Sequence, residues 1–219
     1  MQDISMKSLL KKSAVSALVA GSLVLTTTSV MAVEKGDWLV RFGAVNVSPN
    51  DSSTGLTGVG ATATVGVDGD SQVFANLSYM IKDNVALELL AATPFSHDIK
   101  GTGALSALGK VGETKQLPPT FSIQYHFKPK ASVRPYVGAG INYTTFFSEK
   151  ATNTISSLKL DDSIGLAAQA GVDVDISKNW FFNADIRYIN IETTATTDLG
   201  TSEVKINPTV ISLGVGTRF

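Results

Sequence analysis

Eight stretches of this 219-residue chain alternate apolar with small or polar residues at a period of two. Nothing else limits its fold so strongly, because residues i, i+2 and i+4 of an extended strand share one face. The closing stretch, residues 209–219, sets Ile211, Leu213, Val215, Thr217 and Phe219 on one face, and Ser212, Gly214, Gly216 and Arg218 on the other. It ends on an aromatic, whereas the termini of water-soluble domains usually fray into solvent. A closing strand of an outer-membrane β-barrel ends this way, with an apolar lipid face and an aromatic girdle. The last strand of a soluble β-sandwich is the alternative that this stretch leaves open.

The same alternation recurs upstream. Trp38, Val40, Phe42 and Ala44 oppose Leu39, Arg41, Gly43 and Val45, and further segments follow at 73–79, 86–92, 121–127, 136–143, 163–176 and 180–188. Between them, long Gly-, Ser-, Thr- and Asp-rich segments (48–70, 93–118, 148–161 and 193–203) read as loops. They interleave with tight polar turns at 82–84, 128–133 and 177–179. Long loops at one end and short turns at the other are the asymmetry of outer-membrane barrels, loops extracellular and turns periplasmic. An even number of antiparallel strands lets the ends meet and removes the free edges that a bilayer does not tolerate.

The first segment stands apart from the fold. Lys7, Lys11 and Lys12 form a basic patch, an apolar core runs from Ala14 to Leu25, and Val30-Met31-Ala32 is a small-residue exit. That reads as a secretory signal peptide over residues 1–32, cleaved after Ala32, leaving residues 33–219 as the barrel. Its apolar core is well short of the ~20 residues a spanning helix requires. Cleavage removes three lysines and Asp3, leaving 15 basic and 18 acidic side chains, a net charge of about −3. No later segment approaches a transmembrane helix, so an exported chain of this kind enters a membrane only as a closed barrel. No basic run tracks phosphates, so nothing points to nucleic acid. The chain has no cysteine and two histidines, which argues against a disulfide framework and a metal site, and no cofactor is indicated.

Arg41, Glu88, Asp173 and Arg187 all lie opposite the continuous apolar rows. Alternation alone does not say which row faces out. The export signal, the aromatics near strand ends (Trp38, Tyr79, Tyr143, Trp180, Phe219) and the glycines on the polar rows favour a narrow membrane barrel.

Several segments resemble the outer membrane protein W family. They are Leu89-Leu90-Ala91-Ala92-Thr93-Pro94-Phe95, Leu117-Pro118-Pro119-Thr120, the run from Arg134 to Phe147, Asp162-Ser163 through Asp173, and the terminal Arg218-Phe219. The resemblance implies an all-β, eight-stranded, antiparallel up-and-down transmembrane barrel in the Gram-negative outer membrane, with short periplasmic turns and long extracellular loops. It implies a channel for passive uptake of small, mainly hydrophobic molecules, with a proposed lateral exit through the wall into the lipid. Leu90 matches a family residue at a lumen constriction. The partner there is typically a tryptophan, and this chain has Arg187 instead; Ile164 and Thr209 also stand where the family often has aromatics.

On this reading Glu88, Leu90, Asp185 and Arg187 share the lumen face, with Arg187 pairing either Glu88 or Asp185, as a polar gate or as a plug of ion pairs. Pro118 and Pro119 lack backbone N–H groups and would weaken the wall beside Thr93-Pro94, as a lateral gate or as a mere loop end. Phe219 is expected to be the signal read by the outer-membrane barrel assembly machinery. The partners are outer-membrane lipid and small hydrophobic or amphipathic solutes, around a barrel able to stand as a monomer. The rival reading is a structural or adhesive barrel whose loops bind host surfaces, toxins or phage. An enzyme is not expected. Ser96-His97-Asp98 cannot form a relay from consecutive residues, no Gly-x-Ser-x-Gly elbow is present, and His126 reads as a lumen hydrogen-bonder.

Overall fold

The structure, a computed structural model, describes residues 32–152 and 155–219. The export signal expected over residues 1–32 lies outside them, apart from Ala32. In chain order the described residues form strands β1 (Trp38–Ser48), β2 (Ser52–Ser53), β3 (Ala63–Val67), β4 (Asp70–Lys82), β5 (Val85–Ala92), β6 (Phe95–Gly103), β7 (Lys110–Leu117) and β8 (Thr120–His126). There follow β9 (Val133–Ala151), β10 (Leu158–Leu160), β11 (Ser163–Asp175), β12 (Trp180–Ile189), β13 (Glu192–Thr197), β14 (Gly200–Lys205) and β15 (Thr209–Arg218).

Eight of these make the barrel, in the ring order β1, β4, β5, β8, β9, β11, β12, β15, each antiparallel to both neighbours. The last strand closes on the first, with Phe42 opposite Val215 and Val47 opposite Val210. Every expected strand lies in this ring, and the three short connections fall where the polar turns were read. Burial settles which face is which. Phe121, Leu166 and Leu213 are 54%, 73% and 62% exposed, while Arg41 and Glu88 are 0% exposed. A soluble sandwich would show the reverse, so the apolar rows are the lipid face. No helix among the described residues is long and apolar enough to cross a membrane; the strands do so.

The four long segments read as loops are largely sheet. β6 and β7 form a hairpin, β3 adds to the free edge of β6, and β7 pairs with the far half of β9. On the other side β13 and β14 form a second hairpin flanked by β10 and β2. The barrel wall thus continues beyond the bilayer. β9 alone runs 19 residues, ~60 Å at about 3.3 Å per residue, against an apolar band ~25 Å tall. Period-two alternation is present in these segments too. Phe95, His97 and Ile99 are buried while Ser96 and Lys100 are exposed. The period is masked because the segments are rich in glycine, serine and threonine, of which only threonine favours strands.

The interior is filled in three storeys. At the short-turn end, periplasmic in barrels of this kind, Val33, Leu39, Met80, Ala86 and Phe181 form a small apolar cluster. A polar layer follows. Above it, Val45, Val47, Phe74, Phe95, Ile189 and Val210 belong to a larger apolar cluster that continues into the extension. Inward glycines make room for the bulky members: a Cβ on Gly171 would lie 2.4 Å from the Tyr136 ring, and one on Gly216 would lie 2.4 Å from the Phe181 ring.

Candidate functional site: a polar floor beneath an apolar chamber

The polar layer is built by inward residues of seven barrel strands. Arg41 donates from Nε and Nη2 to the two oxygens of Asp173 at 3.0 and 2.7 Å, a two-pronged ion pair that is fully buried. Its Nη1 reaches Ser78 Oγ at 2.8 Å and Asn76 Oδ1 at 3.3 Å. Its guanidinium carbon lies 5.3 Å from the centre of the Tyr136 ring and 5.6 Å from that of Phe181. Each nitrogen of this guanidinium has a hydrogen-bond partner, as burial of a charge demands.

Glu88 is the second hub. One oxygen accepts from Asn76 and Gln124; the other accepts from Gln169 at 3.1 Å and from Arg187 Nη2 at 2.7 Å. Of the two partners open to Arg187, Glu88 is therefore the close one, and Asp185 stands at 3.6 Å from Nε. Asp185 accepts instead from the Tyr136 hydroxyl at 3.0 Å, and Asn183 ties Tyr136 to Asp173 at 3.0 and 2.8 Å. His126 joins through Nε2 to Gln124 Oε1 at 3.3 Å. Alternation puts these charges on the inward face, but carries no signal for the Arg41–Asp173 pair, whose members are 132 residues apart.

Leu90 lies two residues beyond Glu88 and packs, half-buried, against the upper apolar cluster. It marks the boundary between the polar floor and a chamber walled by Val67, Ile99, Val111, Phe146, Leu160 and Val204. All six lie in the extension or in the part of β9 that supports it. The space left among them is small, about 40 Å³, room for a few waters at ~10–15 Å³ each. Over the chamber, Leu56, Ala63 and Leu105 form a further cluster with Leu199 packed against it, so that the tips of the extension meet.

The wall beside Leu90 is thin in hydrogen bonds. The β5–β8 ladder ends at Leu90 opposite Thr120, and the β6–β7 ladder begins at Phe95 opposite Gln116. Residues 91–94 and 117–119 lie between and share no ladder pair with each other, although Ala91 and Ala92 pair with β4 and Leu117 pairs with Thr145 of β9. Pro119 O accepts from Tyr143 N at 3.0 Å on the β9 side. Because successive backbone groups alternate sides, Pro118 is the one whose missing N–H faces β5. Its carbonyl is held by Asn142 Nδ2 at 3.0 Å.

The Ser96-His97-Asp98 triplet is split by the pleat. His97 points inward, with Nδ1 2.6 Å from Asp68 O and Nε2 2.9 Å from Gln116 Nε2, while Asp98 pairs with Lys110 at 2.7 Å. The Gln116 amide must donate to His97 Nε2, which leaves the proton on Nδ1. Burial pushes the His97 pKa down, favouring that neutral form. Phe219 is 74% exposed, and its backbone pairs with Trp38 at 3.0 Å in both directions.

The sequence model of one family, described as the OmpW family, matches residues 34–219. Outer membrane protein W of Vibrio cholerae is 46% identical to this chain over 206 residues, covering 89% of this chain and 94% of that protein. Outer membrane protein W of Escherichia coli is 38% identical over 220 residues, covering 96% of this chain and 100% of that protein. The crystal structure of the outer membrane protein OprG from Pseudomonas aeruginosa aligns with a TM-score of 0.80 at 35% identity, over 86% of this chain and 98% of that one.

Proposed function

The chain belongs to the OmpW family and is an outer-membrane barrel of Gram-negative type, and from that premise we propose that it is a channel for passive uptake of small, mainly hydrophobic molecules. One observation carries the reading: an apolar chamber on the extracellular side stands over a floor that is filled and hydrogen-bonded across the lumen. Apolar cargo gains by entering such a chamber, at roughly 25 cal/mol per Å² of apolar surface removed from water. It gains nothing by crossing ion pairs whose separation would leave charges unpaired.

The constriction in this proposal is the floor at Glu88, Asp185 and Arg187 with Leu90 at its upper rim. Straight passage being blocked there, the cargo leaves sideways, between residues 91–94 and 117–119, two segments that share no ladder pair, so that parting them breaks few hydrogen bonds. The lipid outside that seam is the sink.

Replacing Pro118 and Pro119 with alanine restores two N–H donors, and the one at 118 faces β5. The expected outcome is slower uptake of an apolar probe such as n-octane by intact cells, with unchanged insertion. A variant that folds normally and keeps full uptake would remove the lateral route. Loss of binding to host surfaces or phage in a deletion strain, with uptake unaffected, would instead favour an adhesive barrel. Phe219, exposed at the end of the closing strand, is in this proposal the feature read by the barrel assembly machinery.

A further inference from the structure

Arg187 is buried to 2% exposure in the membrane-spanning wall, yet its cation is only partly answered. Nη2 donates to Glu88 and Gln169, while among the described residues Nη1 has no hydrogen-bond partner and Nε has none closer than the carboxylate of Asp185 at 3.6 Å. Arg41, in the same layer, has no such gap. A buried polar group left unanswered is costly, more so when charged, and an ionisable side chain at membrane depth marks a ligand path more often than a structural accident.

Its surroundings say what is missing. Val210 lies directly across from Arg187 in the β12–β15 ladder, and Ile189 is the next inward residue on its own strand. Both belong to the apolar cluster around the chamber. Arg187 thus sits where the polar floor meets the apolar cluster on the β12–β15 side. Two carboxylates, Glu88 and Asp185, already flank the guanidinium.

We infer that Arg187 is a specificity-determining residue that selects uncharged amphiphiles, molecules with an apolar body and one acceptor oxygen, over plain hydrocarbons and over carboxylates. The oxygen accepts from the open guanidinium N–H, and the apolar body lies against Val210 and Ile189 of the apolar cluster. A hydrocarbon leaves that donor unanswered. A carboxylate brings a third negative charge to a site where two already share the single Arg187 cation, in a medium where the repulsion is weakly screened. This inference rests on the channel reading above and adds the cargo's chemistry to it.

The test is initial uptake of labelled n-octane, octan-2-one and octanoate by intact cells of a deletion strain carrying the full-length wild-type gene, the Glu88→Gln/Arg187→Met double variant, or the empty vector. The double variant removes both charges of the pair, so neither is stranded. With wild type, octan-2-one is expected to enter about tenfold faster than octane, the value of one charge-assisted hydrogen bond of modest strength, and octanoate no faster than with empty vector. In the double variant the ketone-to-alkane ratio falls to about one, whatever its absolute rate of octane uptake.

A wild-type ratio near one, octanoate uptake equal to that of the ketone, or a tenfold ratio retained by the double variant overturns the inference while leaving the channel intact. Failure of all three probes to exceed empty vector overturns the channel reading itself. If the double variant does not assemble, side-chain nitrogen resonances of Arg187 in the labelled wild-type protein decide. They are expected to move with octan-2-one and not with octane; equal responses overturn the assignment.

Discussion

Within the lumen, Arg41 and Asp173 show how far each inward residue depends on partners from other strands. Both are fully buried and bonded at two points. Removing one member leaves a bare charge in a low-dielectric interior, which typically costs ~3–5 kcal/mol. Asp173→Leu is therefore expected to lower the urea midpoint of the protein in lipid vesicles sharply. Arg41→Met combined with Asp173→Leu should recover much of the loss, because no charge remains to be stranded. If the single and double variants unfold at the same concentration, the pair is not coupled as the geometry requires. Glu88 is legible in the sequence as an inward charge, and Arg187 as a cation with two candidate partners. The choice of Glu88 over Asp185 was not, since residues i and i+2 of one strand always share a face, while contact across the lumen needs the whole ring.

The strands divide into those that close the barrel and those that extend it. Removal of the β13–β14 hairpin, with residues 192–205 replaced by a short Gly-Ser turn, leaves every pairing of the eight-membered ring untouched. Insertion and the heat-dependent shift in gel mobility should survive. The chamber loses Ala195 and Val204 from its wall, so binding of an apolar fluorescent probe to the purified protein should fall severalfold. Retained binding would place the apolar site elsewhere. The ring strands were plain in the sequence because lipid on one side and a packed lumen on the other impose strict alternation. The extension was not, although Phe95, His97 and Ile99 carry the same period. There the outer face meets water, so serine, lysine and glycine replace the outward apolar row, and the pattern resembles a polar loop.

At the scale of the molecule, everything depends on the meeting of β15 with β1, from Leu39 opposite Arg218 to Ser48 opposite Thr209. An unclosed sheet would expose free backbone groups to hydrocarbon at several kcal/mol each. Phe219 lies just beyond the last of these pairs, and Trp38 N and O both bond to its backbone. Deleting Phe219 is expected to reduce the amount of folded barrel in the outer membrane several-fold while leaving uptake per folded molecule unchanged. Normal insertion of the shortened chain would show that the terminal aromatic is not the assembly signal. Arg218, buried at the short-turn rim with Nη2 on Lys178 O at 3.0 Å, is where the closing strand's face pattern places it.

The sequence by itself determined the class of solution. Eight alternating segments, charges on one row and hydrocarbon on the other leave a lipid-facing closed barrel as the arrangement that satisfies every backbone group in a bilayer, and period two assigns each side chain to a face without knowledge of any neighbour. Only the tertiary structure decided what the inward residues do. The stagger of eight strands sets which heights meet across the lumen, and no local rule fixes that stagger. It brings Arg41 to Asp173 and Arg187 to Glu88, leaves Arg187 with an open N–H where the polar floor meets the apolar cluster, and sets Pro118 against a β5 segment with no ladder bond to give it.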